Sequence, residues 1–381
     1  MTRDMKISNA RIVLADRVID GGLAVRDGIV DSVGAGMNGP GVEDFEGDYL
    51  VPGLVELHTD HLESHYHPRP GVFWNPIAAL QAHDAQVAAS GITTVFDAVR
   101  IGSEADAAQN LGDHVGILVE AIDNAQGSGR LRADHFVHLR CELSAPDAVE
   151  QFEDYAHMPI VRLASLMDHT PGQRQFVTMD LYYAYYQGKS GRSDEEMRRF
   201  IAERLEDQRR YAEPNRRAIV ARSREIGLAI ASHDDATIDH VDQAREEGVR
   251  IAEFPTTIEA ARAARKAGLS ILMGAPNVVR NRSHSGNISA NELARAGLLD
   301  ILSSDYVPFS LMQAAFDLPR HVKGLDLPTA VANVSRNPAR AAGLDDRGEI
   351  APGQRADFAR VAMLDDVPVV RAVWRQGRRV A

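Results

Sequence analysis

Apolar residues along this chain follow two rhythms. At the N-terminal end they form short β-branched runs, Lys6–Leu14, Gly22–Val25 and Ile29–Val33, punctuated by DGGL, RDG and NGPG. That alternation of brief apolar runs with turn residues predicts antiparallel strands. The C-terminal end returns to it in ADFARVAML and VVRAVWRQGRRV, with a turn expected at Gln376–Gly377. Between the two ends, longer apolar runs alternate with helical stretches: GLVEL at 53–57, ITTVFDAV at 92–99, FVHLRCEL at 136–143 and IVRLASLM at 160–167, then LAIASH at 228–233, VRIAEF at 249–254, LSILMG at 269–274 and LLDILSSD at 298–305. Unbroken apolar runs of this length read as parallel strands buried on both faces. Ser193 with Glu196, Thr256 with Glu259 and Ser289 with Glu292 each fit the S/T-x-x-E capping box that starts a helix.

Eight strands separated by helices predict an α/β protein. The expected architecture is a (β/α)8 TIM-like metal-dependent hydrolase barrel over residues 53–344, with a small β-sandwich domain assembled from 1–52 and 345–381. A doubly wound sheet competes with it, but no G-x-G-x-x-G follows the first strand.

A barrel puts its chemistry at the C-terminal ends of its strands. Those ends carry His58 and Asp60, Asp97, Glu142, Asp168 and His169, His233 with Asp234 and Asp235, Glu253, and Asp305. Singly, each is as readily a helix cap or a solvated loop residue, and Asp234 and Asp235, just ahead of a helix, read as caps. Together they would face one mouth. His58 and Asp60, two positions apart on a strand, point the same way and can share a divalent ion, with His169 and His233 as further imidazole partners. Such an ion lowers the pKa of bound water toward about 7. The stretch HTDHLESHYH at 58–67 sharpens the question, because it admits a metal site, a metalloprotease helix or a plain loop. HLESH is not H-E-x-x-H, and Pro68 and Pro70 cut short any helix there. His65 and His67 therefore read as loop residues.

Composition narrows the partners. A net charge of −12 over 381 residues argues against nonspecific nucleic-acid binding and against an anionic membrane surface. A lone cysteine, Cys141, and an N-terminus without a signal-peptide core point to the cytoplasm. The oligomeric state stays open, a homo-oligomer included.

The motifs HTD, LRCEL, SLMDHTPGQRQF, YYQGK, ASHDDAT, IAEFPTT, LMGAPNVVR, SHSGN and LLDILSSDY together resemble the amidohydrolase superfamily. Within it they resemble the α-D-ribose 1-methylphosphonate 5-triphosphate diphosphatases, over almost the whole chain. The resemblance implies a metal-bearing barrel that releases pyrophosphate from a ribosyl methylphosphonate 5-triphosphate, leaving the 5-phosphate. It implies one or two divalent ions, zinc foremost with manganese or iron as alternatives, held by His58, Asp60, Glu142, His169, His233 and Asp305, with Asp305 also taking the proton of the attacking water. The superfamily's commonest bridging ligand is a carboxylated lysine; none of the four lysines here ends a strand, which leaves Glu142 as the substitute. Glu253 stands where many members place a histidine, and His61 where the close family pattern has asparagine. An anionic, phosphorylated small substrate also demands local positive charge in an acidic protein. Arg69, Arg174, Lys189, Arg280 and Arg282 are the candidate cations, and His284 and Ser285 of SHSGN the candidate hydrogen-bond donors. Two other functions compete: hydrolysis of a C–N bond in an amide, cyclic amide or deaminase substrate, and a scaffold subunit without activity.

Overall fold

The computed structural model describes residues 4–34, 37, 39–103, 114–174, 179, 182–183, 186–187, 192–281 and 287–381. Strands from both chain ends share one sheet. It contains β1 (Met5–Val13), β2 (Val18–Arg26), β3 (Ile29–Gly34), β4 (Val42–Asp44) and β5 (Tyr49–Pro52) from the N-terminal side. From the C-terminal side come β14 (Phe358–Leu364), β15 (Val367–Arg375) and β16 (Arg378–Arg379), in the order β16-β15-β14-β5-β1-β2-β3 with β4 beside β1. β14 runs antiparallel to β5, so the late strand adds directly to the early ones. Alternate inward residues, Ile7, Ile12, Leu23, Leu50, Phe358 and Trp374, form a buried core, with Phe45 stacked on Trp374 at 5.6 Å between centroids.

The second sheet contains eight parallel strands in chain order: β6 (Leu54–Thr59), β7 (Ile92–Ile101), β8 (Asp134–Glu142), β9 (Val161–Met167), β10 (Ala229–His233), β11 (Ile251–Glu253), β12 (Ser270–Gly274) and β13 (Ile301–Ser303). All eight expected strands are present. A single bridge between Thr59 and Asp305 brings the exit of β13 back to β6. The strands bury nearly every residue, which is why their sequences read as continuous apolar runs.

The chain divides into two compact units. One holds Met1–Asp97, Ala121–Phe136 and Leu272–Ala381; the other holds Ala98–Glu120 and Val137–Ile271. In the first, Asp134 at the start of β8 collects three guanidinium groups from the C-terminal segment: Arg355 at 2.7 Å, Arg347 at 2.8 Å and Arg375 at 3.0 Å.

Several expectations shift in detail. Ser193–Glu196 and Ser289–Glu292 do form reciprocal capping boxes. The third cap falls one residue later than predicted, with Thr257 accepting from the Ala260 amide. The prolines after residue 67 cut the local helix short as expected, but α1 (His61–Tyr66) forms ahead of them, so His65, read as a loop residue, is helical and His67 is the C-terminal cap. It packs on α2 (Pro76–Ala89), which starts with Pro at its first turn and Asn75 accepting from the Ala78 amide at 3.0 Å. No helix among the described residues is long and apolar enough to cross a membrane.

Asp97 lies inside β7, not at its end, because the strand continues to Ile101. It is fully buried between two imidazoles, 2.7 Å from His135 Nδ1 and 2.8 Å from His83 Nε2. Burial opposes charge on His135, but Asp97 and Asp84 outweigh it and raise its pKa from 6.5 to about 9. A raised pKa in the fold means stability fully present below pH 6.5 and lost as pH climbs through about 9. Removing one partner of a buried ion pair costs about 3–5 kcal/mol. Asp97→Asn should therefore lower the urea midpoint most at about pH 6 and below, with the gap to wild type narrowing through neutral pH and closing above pH 9. A gap independent of pH would show that His135 is not charged in the fold.

Candidate active site

Two groups of polar residues stand at strand exits, one in each unit. In the first unit, β6 presents a buried carboxylate and a buried imidazole in alternation, Glu56 and His58. Glu56 accepts from the His58 amide at 2.6 Å, the Ser304 amide at 2.5 Å and the Ser303 hydroxyl at 2.7 Å. Burial pushes its pKa up to about 7, against the pull of those donors. The Ser303 hydroxyl also contacts the His58 carbonyl. Asp305 follows with φ of 55°, its amide donating to the His58 carbonyl at 3.1 Å and its carbonyl accepting from the Thr59 hydroxyl at 2.7 Å. Asp60 lies beyond the strand, at the N-terminal cap of α1, without a side-chain capping bond. The two-residue alternation that pairs it with His58 in the sequence therefore ends one residue early.

In the second unit, Glu142 closes β8 and His169 follows β9. Glu142 Oε2 lies 2.7 Å from His169 Nδ1, and Oε1 accepts from Ser144 at 2.9 Å and Arg204 at 3.4 Å. Arg100 adds a contact at 3.5 Å. Burial works to neutralise Glu142, but His169, Arg204 and Arg100 prevail and hold its pKa well below the usual carboxylate range. Glu253 acts on His233 in a similar way, lying 3.1 Å from Nδ1. Each imidazole thus has Nδ1 fixed by a buried carboxylate, an arrangement that sets ring orientation and frees Nε2 for an ion.

Both Nε2 atoms face the same carboxylate, Asp234 Oδ2, at 3.5 Å from His233 and 3.8 Å from His169. Oδ2 is buried and without a hydrogen-bond partner among the described residues. His169, His233 and Asp234 can place one ligand atom each within 4.8 Å of one another. Two imidazole nitrogens and an unsatisfied buried carboxylate oxygen fit a divalent cation. The reading of Asp234 and Asp235 as helix caps is corrected here: Thr237 caps the helix Ile238–Glu246. Asp234 turns through φ of 56°, and Asp235 pairs with Arg174 and the Ser232 hydroxyl. Arg174 is itself buried and also donates to the His233 carbonyl at 3.3 Å. Its charge therefore supports the floor of the site.

Of the other expected cations, Arg69 and Arg280 are exposed. Lys189, Arg282, His284 and Ser285 lie outside the described residues. Sequence reading passed over Glu56 and His138, a fully buried imidazole on β8 with Nε2 4.0 Å from Glu253 Oε1. The signal was there in the period-two face His138, Arg140, Glu142.

The eight-stranded parallel fold with imidazoles and carboxylates at its strand exits is that of a metal-dependent hydrolase of the amidohydrolase class. Residues 193–381 match the amidohydrolase family Amidohydro_3. Over 378 residues, 99% of this chain and 100% of the relative, the sequence is 47% identical to the alpha-D-ribose 1-methylphosphonate 5-triphosphate diphosphatase of Escherichia coli K12, and the chain belongs to that family. It is 24% identical to the imidazolonepropionase of Deinococcus deserti, over 96% of this chain and 93% of the relative. Among solved structures it resembles the N-acetyl-D-glucosamine-6-phosphate deacetylase of Mycobacterium smegmatis with a TM-score of 0.65 at 16% identity, covering 99% of both chains.

Substitutions should separate ligands from the groups that orient them. His169→Ala or Asp234→Asn should abolish tight metal binding at this site, whereas Glu142→Gln or Glu253→Gln should weaken it roughly 10–100-fold. Metal affinity by competition with a chromogenic chelator measures both. An unchanged affinity in Asp234→Asn would remove Asp234 from the ligand set, and complete loss in Glu142→Gln would make Glu142 a ligand.

Proposed function

We propose that this chain hydrolyses the 5-triphosphate of α-D-ribose 1-methylphosphonate, releasing pyrophosphate and leaving the 5-phosphate. The observation that carries this reading is the 47% identity spread over the full length of both chains. The proposed ligands are His58, Asp60, His169, His233 and Asp305, to which the geometry adds Asp234, while Glu142, the ligand implied by the resemblance, is assigned to orienting His169. One or two divalent ions are expected, zinc foremost for an imidazole–carboxylate set, with manganese or iron as alternatives. Such an ion supplies positive charge against phosphate oxygens and acidifies water.

The chain's own residues have separate tasks. Asp305, half-buried and fixed through its backbone by Thr59 and His58, accepts the proton of the attacking water. Glu142 and Glu253 hold His169 and His233 in one tautomer and orientation. Arg174 anchors Asp235 and the His233 carbonyl, keeping the β10 exit in place. Arg69, Arg280, Lys189, His284 and Ser285 are proposed to receive the phosphates, where positioning and charge neutralisation supply most of the rate. The lone buried cysteine, Cys141, agrees with work in the cytoplasm.

Phosphorus NMR of the metal-loaded protein with this substrate should show pyrophosphate and the 5-phosphate accumulating together. Asp305→Asn should lower kcat by roughly 10²–10⁴-fold. Bound metal without any phosphorus chemistry would sink the proposal and turn attention to amide and deamination substrates. A protein that takes up no metal after reconstitution would favour the scaffold reading instead.

A further inference from the structure

The first unit contains another gathering of imidazoles, which the proposed reaction does not use. His61 and His65 stand one turn apart on α1 and share a face, and His83 on α2 lies against both. The ring centroids are 5.0 Å apart for His61 and His65, and 5.9 Å from each of these to His83. Nε2 of His61 and Nε2 of His65 converge on one point, lying 3.0 and 3.3 Å from the same Oε1 of Gln86.

His83 is oriented from behind. Its Nε2 lies 2.8 Å from Asp97, and a carboxylate only accepts, so that nitrogen carries the proton. Nδ1 then presents its lone pair, and it is buried with no hydrogen-bond partner among the described residues. A carboxylate behind an imidazole is the usual support of a metal-binding histidine. Three imidazoles around a tetrahedral ion, with nitrogens about 2.0–2.1 Å away, have centroids roughly 5 Å apart. The observed centroid spacings of 5.0 and 5.9 Å lie close to that value. His61 and His65 are half-buried and His83 fully buried, so the constellation has an open side and a closed floor.

We propose that His61, His65 and His83 form a second divalent-metal site, separate from the strand-exit ligands. It would take an ion that prefers imidazole, of the zinc class, with the Gln86 oxygen or water as fourth ligand. A neutral imidazole moves its proton to Nδ1 when Nε2 binds, so His61 and His65 need only exchange tautomers.

The test uses the full chain with its strand-exit metal in place. Wild type, the double variant His61→Gln/His65→Gln and the exposed-histidine control His157→Gln are dialysed against excess zinc and desalted. Bound zinc is then counted by mass spectrometry, and the experiment is repeated with cobalt to record visible absorption. Wild type and the control should hold one more equivalent than the double variant. Their cobalt forms should show additional tetrahedral absorption that the double variant lacks, while zinc should raise the melting temperature of wild type more than that of the double variant. Equal zinc counts and equal cobalt spectra in wild type and double variant overturn the proposal. Loss of all bound metal from the double variant overturns it as well, because the histidines would then serve the strand-exit site.

Discussion

The Glu56 carboxylate closes the parallel sheet where the backbone barely does. Between β6 and β13 the main chain offers one bridge, at Thr59 and Asp305. Glu56 adds a side-chain seam, accepting from β6 through the His58 amide and from β13 through Ser303 and Ser304. Burying a carboxylate is costly unless its oxygens are satisfied, so the three donors hold the seam in one geometry. Because His58 and Asp305 flank it directly, the requirement that closes the sheet also fixes the separation of two proposed ligands. Ring closure and site geometry are one constraint.

The same economy recurs in the second unit, where carboxylates are buried beneath imidazoles. Glu142 under His169 and Glu253 under His233 leave each ring one orientation. Asp234, by contrast, reaches into the space between the rings with an oxygen that no described donor satisfies, and burial lifts its pKa to about 7. Two carboxylates are spent on orientation and one is left to meet a cation. Strain accompanies the arrangement: Asp234, Phe254 and Asp305 all leave their strands in the left-handed region, which costs most residues about 1–3 kcal/mol. The backbone is bent to aim these groups.

Much of this was legible in the sequence because buried parallel strands leave a strong trace. ITTVFDAV and IVRLASLM have no other comfortable place in a globular protein. The carboxylates and imidazoles ending such runs were legible for the same reason, since nothing apolar explains them. What escaped depended on neighbours distant in sequence. Asp234 looks like a cap until Thr237 is seen to hold that position three residues on. Arg174 looks like a phosphate ligand until Asp235 is found against it. Asp97 reads as a strand-end carboxylate until β7 is seen to continue past it, with His83 and His135 on either side. His65 reads as a loop residue, yet a six-residue helix fits ahead of the prolines.

Asp134 carries a consequence for the order of events during synthesis. Its three arginine partners, Arg347, Arg355 and Arg375, follow it on the chain by 213 residues or more. β14 is likewise made long after β5, the strand onto which it adds. The nascent chain therefore holds an unpaired acidic group at the foot of β8 and an unfinished sheet edge at β5 until those later segments emerge. Commitment to the native state waits for them, and the polypeptide in between must be kept from wrong partners meanwhile.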